Sequence, residues 1–246
     1  MDTISLAIEN LVVANRKFRV KNITFSLKQG DIMGLIGRSG SGKSTLMRVL
    51  LGLQKQESGS MKLTINGLPS RVSNVVGYSP QRNALYPFLT LEENLFTFGK
   101  LYGLKKADIE ARINPILDRV KLREFRKRRL TEFSGGMEKR ADLAVSMIHK
   151  PKILILDEPF TGLDISIQKF IWELLIDLAH SGRIIIITSH LLNDIQRYSN
   201  QFGLINSGEF YNTQQIMRAL QTGKEKNLEV FLEKLFSADI HPHPEN

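Results

Sequence analysis

The stretch GRSGSGKST, at Gly37 to Thr45, constrains this chain more than any other part of it. It follows an apolar run (Ile32, Met33, Leu35, Ile36) that reads as a buried strand, and it leads into Leu46, Met47, Val49 and Leu50, which read as a helix. Strand, glycine loop and helix in that order is the setting a nucleotide phosphate needs. Gly37, Gly40 and Gly42 let the backbone come close and aim its N–H groups at phosphate oxygens, and the helix adds the positive end of its dipole. Lys43 would reach the β- and γ-phosphates, and the Ser44 hydroxyl would ligate Mg²⁺. The candidate cradle is therefore Gly37, Arg38, Ser39, Gly40, Ser41, Gly42, Lys43, Ser44 and Thr45.

Four more elements follow in order: Gln81, FSGGM at Phe133 to Met137, ILILDEP at Ile153 to Pro159, and His190. Asp157 ends an apolar strand predicted over Lys152 to Asp157, where its carboxylate can help hold Mg²⁺. Glu158 points elsewhere on the pleat and can meet a water instead. Adjacent carboxylates are costly without a cation nearby, which favours the metal reading over simple helix capping. Ser134, Gly135 and Gly136 precede a helix predicted from Met137 to His149, so a hydroxyl and free N–H groups form a second anion site there. Gln81, after a strand predicted over Val75 to Tyr78, can offer its amide oxygen to Mg²⁺.

The remaining pattern alternates strands and helices, which argues for a mostly parallel sheet with helices on both faces. Ile4 to Leu27 reads as strands, Leu91 to about Leu122 as helices, Ser166 to His180 as a helix, Ile184 to Thr188 as a strand, and Phe202 to Tyr211 as a hairpin. Thr90 with Glu93 forms a capping box, and Ile109, Ile113, Ile116, Leu117 and Val120 share one helical face. Leu220 onward reads as helical and polar, and the tail 237–246 as a flexible end.

At 246 residues the chain has room for one α/β domain, with 85–135 as an inserted helical subdomain and residues 1–236 as the whole. It has no cysteine, which agrees with a reducing compartment, and no apolar stretch long enough to span a bilayer. The first ten residues carry no basic segment of the secretory kind. A net charge of +9 suggests an anionic partner, and the densest basic run is KLREFRKRR at Lys121 to Arg129. A solvated surface, anionic lipid heads and nucleic acid are all open readings of that run. Phe125 is its one aromatic, where nucleic-acid binding would favour several interleaved.

Taken together, these five elements resemble the nucleotide-binding subunits of ATP-binding cassette (ABC) transporters, from Ile4 to about Phe236. The resemblance implies a P-loop NTPase of the ABC ATPase type: an α/β fold with a mostly parallel core, an antiparallel β subdomain and an inserted helical subdomain. It implies ATP and Mg²⁺ as cofactors, with Ser44, Gln81 and Asp157 toward the metal. Glu158 would polarise the attacking water, and Gln81 and His190 would contact the γ-phosphate region. FSGGM resembles the family's LSGGQ, with Met137 in place of the glutamine, and implies that Ser134, Gly135 and Gly136 close over ATP bound to a second copy or a homologous cassette. FTGLD, with Asp164, matches the segment that crosses that interface. The wording ENLFTFGKLYGL and SGGMEKR is similar to the exporter branch. Membrane-spanning subunits would supply the solute path, and a helical segment from about Leu85 to Tyr102, bearing Tyr86 and Phe88, would meet them from a cytoplasmic position at the inner face of the membrane. Nucleic acid is not expected, although a soluble ABC ATPase acting on ribosomes or nucleic acid is the rival reading. The family stacks adenine on an aromatic upstream of the phosphate loop. Here Ala14, Asn15 and Arg16 occupy that neighbourhood, with Phe18 close by, so base recognition stays open.

Overall fold

A computed structural model describes residues 3–15, 18–72, 75–189, 192–222 and 230. Among the described residues ten strands form one sheet in the order β5-β4-β1-β2-β10-β9-β3-β8-β7-β6. The strands are β1 (Ile4–Ala14), β2 (Arg19–Lys28), β3 (Ile32–Gly37), β4 (Ser58–Ile65), β5 (Leu68–Pro69), β6 (Val76–Ser79), β7 (Ile153–Asp157), β8 (Ile184–Thr188), β9 (Gln201–Asn206) and β10 (Glu209–Asn212). Strands β6, β7, β8, β3 and β9 run parallel, so the turns that follow their C-terminal ends gather at one margin. There the chain carries the phosphate loop, Gln81 and the Asp157–Glu158 pair.

Period-two alternation explains why the central strands look uniformly apolar. Ile153, Ile155, Ile184 and Ile186 enter one core cluster, while Leu154, Leu156, Ile185 and Ile187 enter another on the opposite face. Each face needs its own cover, which is the condition of a parallel sheet. On one side lies α1 (Lys43–Leu50); on the other lie α4 (Gly135–Met147) and α5 (Ile165–His180), introduced after α2 (Leu91–Leu101) and α3 (Lys106–Arg119). The helices α6 (Leu192–Tyr198) and α7 (Thr213–Thr222) complete the described chain.

The antiparallel strands β1, β2 and β4 continue the same sheet, joined to it where Glu209 of β10 pairs with Lys21 of β2. In β1 the buried positions switch from Ile4, Leu6 and Ile8 to Leu11 and Val13. The change of parity follows a register shift at Asn10, whose φ of 47° makes the bulge.

Helix α2 starts on the expected capping box: the Thr90 hydroxyl accepts from the Glu93 amide at 3.2 Å, and the Glu93 carboxylate accepts from the Thr90 amide at 2.8 Å. The helical segment expected from Leu85 begins only at Leu91. Residues 85–90 form a turn because Asn94, fully buried, accepts from the Tyr86 amide and donates to the Tyr86 and Thr90 carbonyls. Helix α7 starts before Leu220, at Thr213, where Asn212 and Gln215 exchange side-chain-to-amide bonds at 2.8 and 3.1 Å. The tail 237–246 lies outside the described residues.

Much of the basic run Lys121 to Arg129 is paired locally. Arg123 bonds Asp118 at 2.8 Å, Arg126 bonds Glu92 at 2.5 Å, Arg128 bonds Glu132 at 2.8 Å, and the Lys121 ammonium lies 4.9 Å from the Phe170 ring centroid. Such half-exposed pairs are a solvated surface rather than an unsatisfied cationic patch.

Candidate nucleotide site

The loop between β3 and α1 turns on Gly40 and Gly42, at φ 80° and 114°. At Gly42 the absence of a side chain is also a matter of space. A methyl there would lie 2.5 Å from Val20 Cγ2 and 2.7 Å from Phe18 Cε2. Phe18 is thus pressed against the loop and, partly buried, packs against the core cluster that holds Val20, while Arg16 lies outside the described residues.

Lys43, 8 % exposed, folds back across the loop and donates to the carbonyls of Gly37 at 2.6 Å and Arg38 at 3.1 Å. Burial lowers its pKa, and the charges of Glu158 and Asp157 act against that shift. The side-chain nitrogen is thereby buried close enough to Asp157 and Glu158 to feel both charges. Ser41 Oγ is buried without a hydrogen-bond partner among the described residues, a free polar atom within the loop.

Asp157 and Glu158 are separated by backbone geometry. Glu158 takes φ 45°, which turns its side chain out of the strand's alternation. The Thr188 hydroxyl, at the end of β8, donates to Asp157 Oδ1 at 2.6 Å and accepts from the Glu158 amide at 2.9 Å. The Glu158 carboxylate accepts from Gln81 Nε2 and from Thr161 Oγ1, each at 3.3 Å. A cavity of about 550 Å³ is lined by Gly37, Arg38, Ser39, Gly40, Lys43 and Ser44 together with Gln81, Asp157 and Glu158. Loop, amide and both acids therefore face one space. No cluster of three or more His, Cys, Asp or Glu side chains suited to a metal occurs among the described residues. The donors here are instead the mixed hydroxyl, amide and carboxylate set that suits a Mg²⁺ ion carrying phosphates and waters.

Ser134, Gly135 and Gly136 do not line this cavity. Ser134 caps α4 by accepting from the Met137 amide at 3.3 Å, and Gly136 is crowded by Ile167, whose Cγ1 would lie 3.1 Å from an added methyl. Asp164 caps α5, accepting from the Ile167 amide at 3.0 Å and from Ser166 Oγ at 2.5 Å, and these bonds hold its carboxyl below the usual range. His190 lies outside the described residues. Thr188 and Thr161 are contacts that sequence reasoning missed. The only local sign of Thr188 is a hydroxyl closing the run of four isoleucines at 184–187.

Comparison with known proteins bears on the family and the fold. The family profile described as ABC transporter matches residues 20–161. The linearmycin resistance ATP-binding protein LnrL of Bacillus subtilis is 37 % identical over 210 residues, spanning 83 % of this chain and 67 % of its own length. The Nod factor export ATP-binding protein I of Burkholderia lata is 35 % identical over 195 residues, 78 % of this chain and 64 % of its own. The chain thus spans about two thirds of the length of such relatives. A solved ATP-binding subunit of an ABC transporter superposes with a TM-score of 0.79 at 27 % identity, covering 94 % of this chain and 99 % of that one. An inward-facing ABC transporter described as of putative metal-chelate type gives 0.77 at 27 % identity, covering 87 % of this chain and 85 % of that one. The chain belongs to the ABC transporter family. Its fold is that of the ABC ATPases, and its reaction is ATP hydrolysis in the service of transport.

Proposed function

We propose that the chain drives an exporter, with residues 1–236 as one ABC domain and 85–135 as its helical subdomain. The observation that carries the reading is the convergence of Lys43, Gln81, Asp157 and Glu158 on one cavity. Lys43, leaving the Gly37 and Arg38 carbonyls, binds the β- and γ-phosphates of ATP, and the loop amides from Gly40 to Thr45 hold their oxygens. Ser44, Asp157 and Gln81 would hold Mg²⁺, which when bound would offset the phosphate charge. Glu158, steadied by Gln81 and Thr161, orients a water toward the γ-phosphate and accepts its proton. His190, outside the described residues, is the further candidate for the γ-phosphate by the resemblance alone.

Ser134, Gly135 and Gly136 stand apart from the cavity as half of a second site, completed when another cassette brings its own ATP. Two cassettes would close on ATP and reopen after hydrolysis. Membrane-spanning subunits at the inner face of the membrane would receive that motion at Tyr86 and Phe88, 46 % and 78 % exposed. The relatives named for linearmycin resistance and Nod factor export support the outward direction.

The test is a trapped dimer. Glu158→Gln, given ATP and Mg²⁺, should elute from size exclusion at twice the monomer mass, and adding Ser134→Arg should abolish that species. A Glu158→Gln protein that binds ATP yet stays monomeric at all concentrations would count against the sandwiched arrangement.

A further inference from the structure

Gln81 stands on a short segment, Ser79 to Ala84, that leaves β6 and passes over α4. Two side chains of α4 hold that segment at three points. The Asp142 carboxylate accepts from the Ser79 hydroxyl and from the Ala84 amide, while Lys139 donates to the Pro80 carbonyl at 3.0 Å and lies 3.5 Å from the same Asp142 oxygen. Ser79, Lys139 and Asp142 are 0 %, 5 % and 3 % exposed.

Placing an ion pair here is expensive. Burial pushes the Asp142 carboxyl up and the Lys139 ammonium down, and an apolar pair of similar volume would hold α4 against β6 as firmly. What the pair adds is direction. Its partners are a specified hydroxyl, amide and carbonyl, all within the segment that presents Gln81, and the helix that carries both charges begins at the Ser134 cap.

We propose that Lys139 and Asp142 are positioning residues for hydrolysis, pinning the Gln81 segment to α4 so that the Gln81 amide and the Ser134 end of the helix shift as one body. The proposal rests on the reading of Gln81 as a contact to Mg²⁺ and the γ-phosphate. A glutamine on an unpinned loop would reach the metal only part of the time, and the deficit would appear in turnover and Mg²⁺ dependence rather than in ATP affinity.

The experiment measures ATPase rates of the full chain against ATP and against Mg²⁺, with thermal melts, for Asp142→Asn, Lys139→Met and Ser79→Ala, each with and without Gln81→Ala. Alone, Asp142→Asn and Lys139→Met should lower kcat about tenfold and raise the half-saturating Mg²⁺ concentration, with KM for ATP within about twofold. In the Gln81→Ala background the same changes should cost nothing further, the non-additivity of residues acting through one another. Losses that simply add in the double variants, or a fall in melting temperature with kcat and Mg²⁺ dependence unchanged, would overturn the proposal. Should a charge variant fail to fold, Ser79→Ala removes one hydroxyl and no charge, and its pairing with Gln81→Ala decides the question in the same way. If Gln81→Ala alone changes neither kcat nor Mg²⁺ dependence, the reading of Gln81 fails and the proposal with it, an outcome distinct from additivity.

Discussion

The Thr188 hydroxyl donates to Asp157 Oδ1 at 2.6 Å. Because the Thr188 hydroxyl oxygen also accepts from the Glu158 amide, one threonine sets the carboxylate proposed for the metal and the backbone of the residue proposed for the water. The two acids belong to one strand end but receive their orientation from the neighbouring strand.

Thr188→Val keeps the shape and removes the bridge. It should cost about 1 kcal/mol of stability, since the Glu158 amide retains the Thr188 carbonyl at 3.2 Å. Turnover should fall about tenfold, with a raised Mg²⁺ requirement. Steady-state rates over a Mg²⁺ series, beside a denaturant melt, check both; an unchanged rate would remove Thr188 from the site.

Glu158→Gln should leave ATP binding intact and slow hydrolysis about a hundredfold or more, because the amide cannot take the proton of the attacking water. Single-turnover hydrolysis reads this directly. Turnover within about tenfold of the parent would assign the base elsewhere.

Lys43→Ala removes a charge-assisted contact to the triphosphate and should weaken ATP binding by about ten- to a hundredfold. Calorimetric titration with ATP, under conditions without turnover, measures it. Equal affinity in both proteins would mean that the loop is not the phosphate site.

His149 predicts a pH effect. Its Nε2–H donates to the Val76 carbonyl at 3.0 Å, its Nδ1 is buried without a partner, and its ring stacks on Tyr102 at 3.7 Å between centroids. Burial, with a smaller contribution from Arg112, holds its pKa below the ordinary 6.5 despite that bond. The unfolded chain therefore takes up this proton more readily than the folded one. The His149 contribution to stability is full above about pH 6.5 and is lost as pH falls through the lower folded value. Urea melts across this range should show a smaller acid loss for His149→Gln than for the parent.

Replacing Tyr86 and Phe88 by Ser should leave the isolated ATPase within about twofold, since surface substitutions of this kind change stability little. Assembly with membrane-spanning subunits should weaken. Membrane co-purification at the parent's yield, with partner-stimulated hydrolysis intact, would place the coupling surface elsewhere.

What could be read along the chain was whatever is written locally. The glycine loop announces its own strand and helix, the Thr90–Glu93 box starts α2 where expected, and Asp157 follows an unbroken apolar run. What could not be read depends on residues distant in sequence. Thr188 acquires its role only once β7 and β8 lie side by side. Asn94 looks like a helical surface residue until the 85–90 turn folds onto it. Lys139 and Asp142 stand among Ala141, Ala144 and Val145 on a buried helix face, and two charges three residues apart there were the available signal of a polar partner.

The sheet order carries a mechanical consequence. The strand leading to the phosphate loop, β3, is flanked by β8 and β9, whereas β6, which leads to Gln81, has among the described residues β7 alone beside it at the edge of the sheet. One arm of the site is thus clamped like the middle plank of a floor, and the other lies along its free board. Within the sheet, a load applied at Gln81 reaches β3 only by way of β7 and β8, so grip on the nucleotide and movement of Gln81 are assigned to different strands.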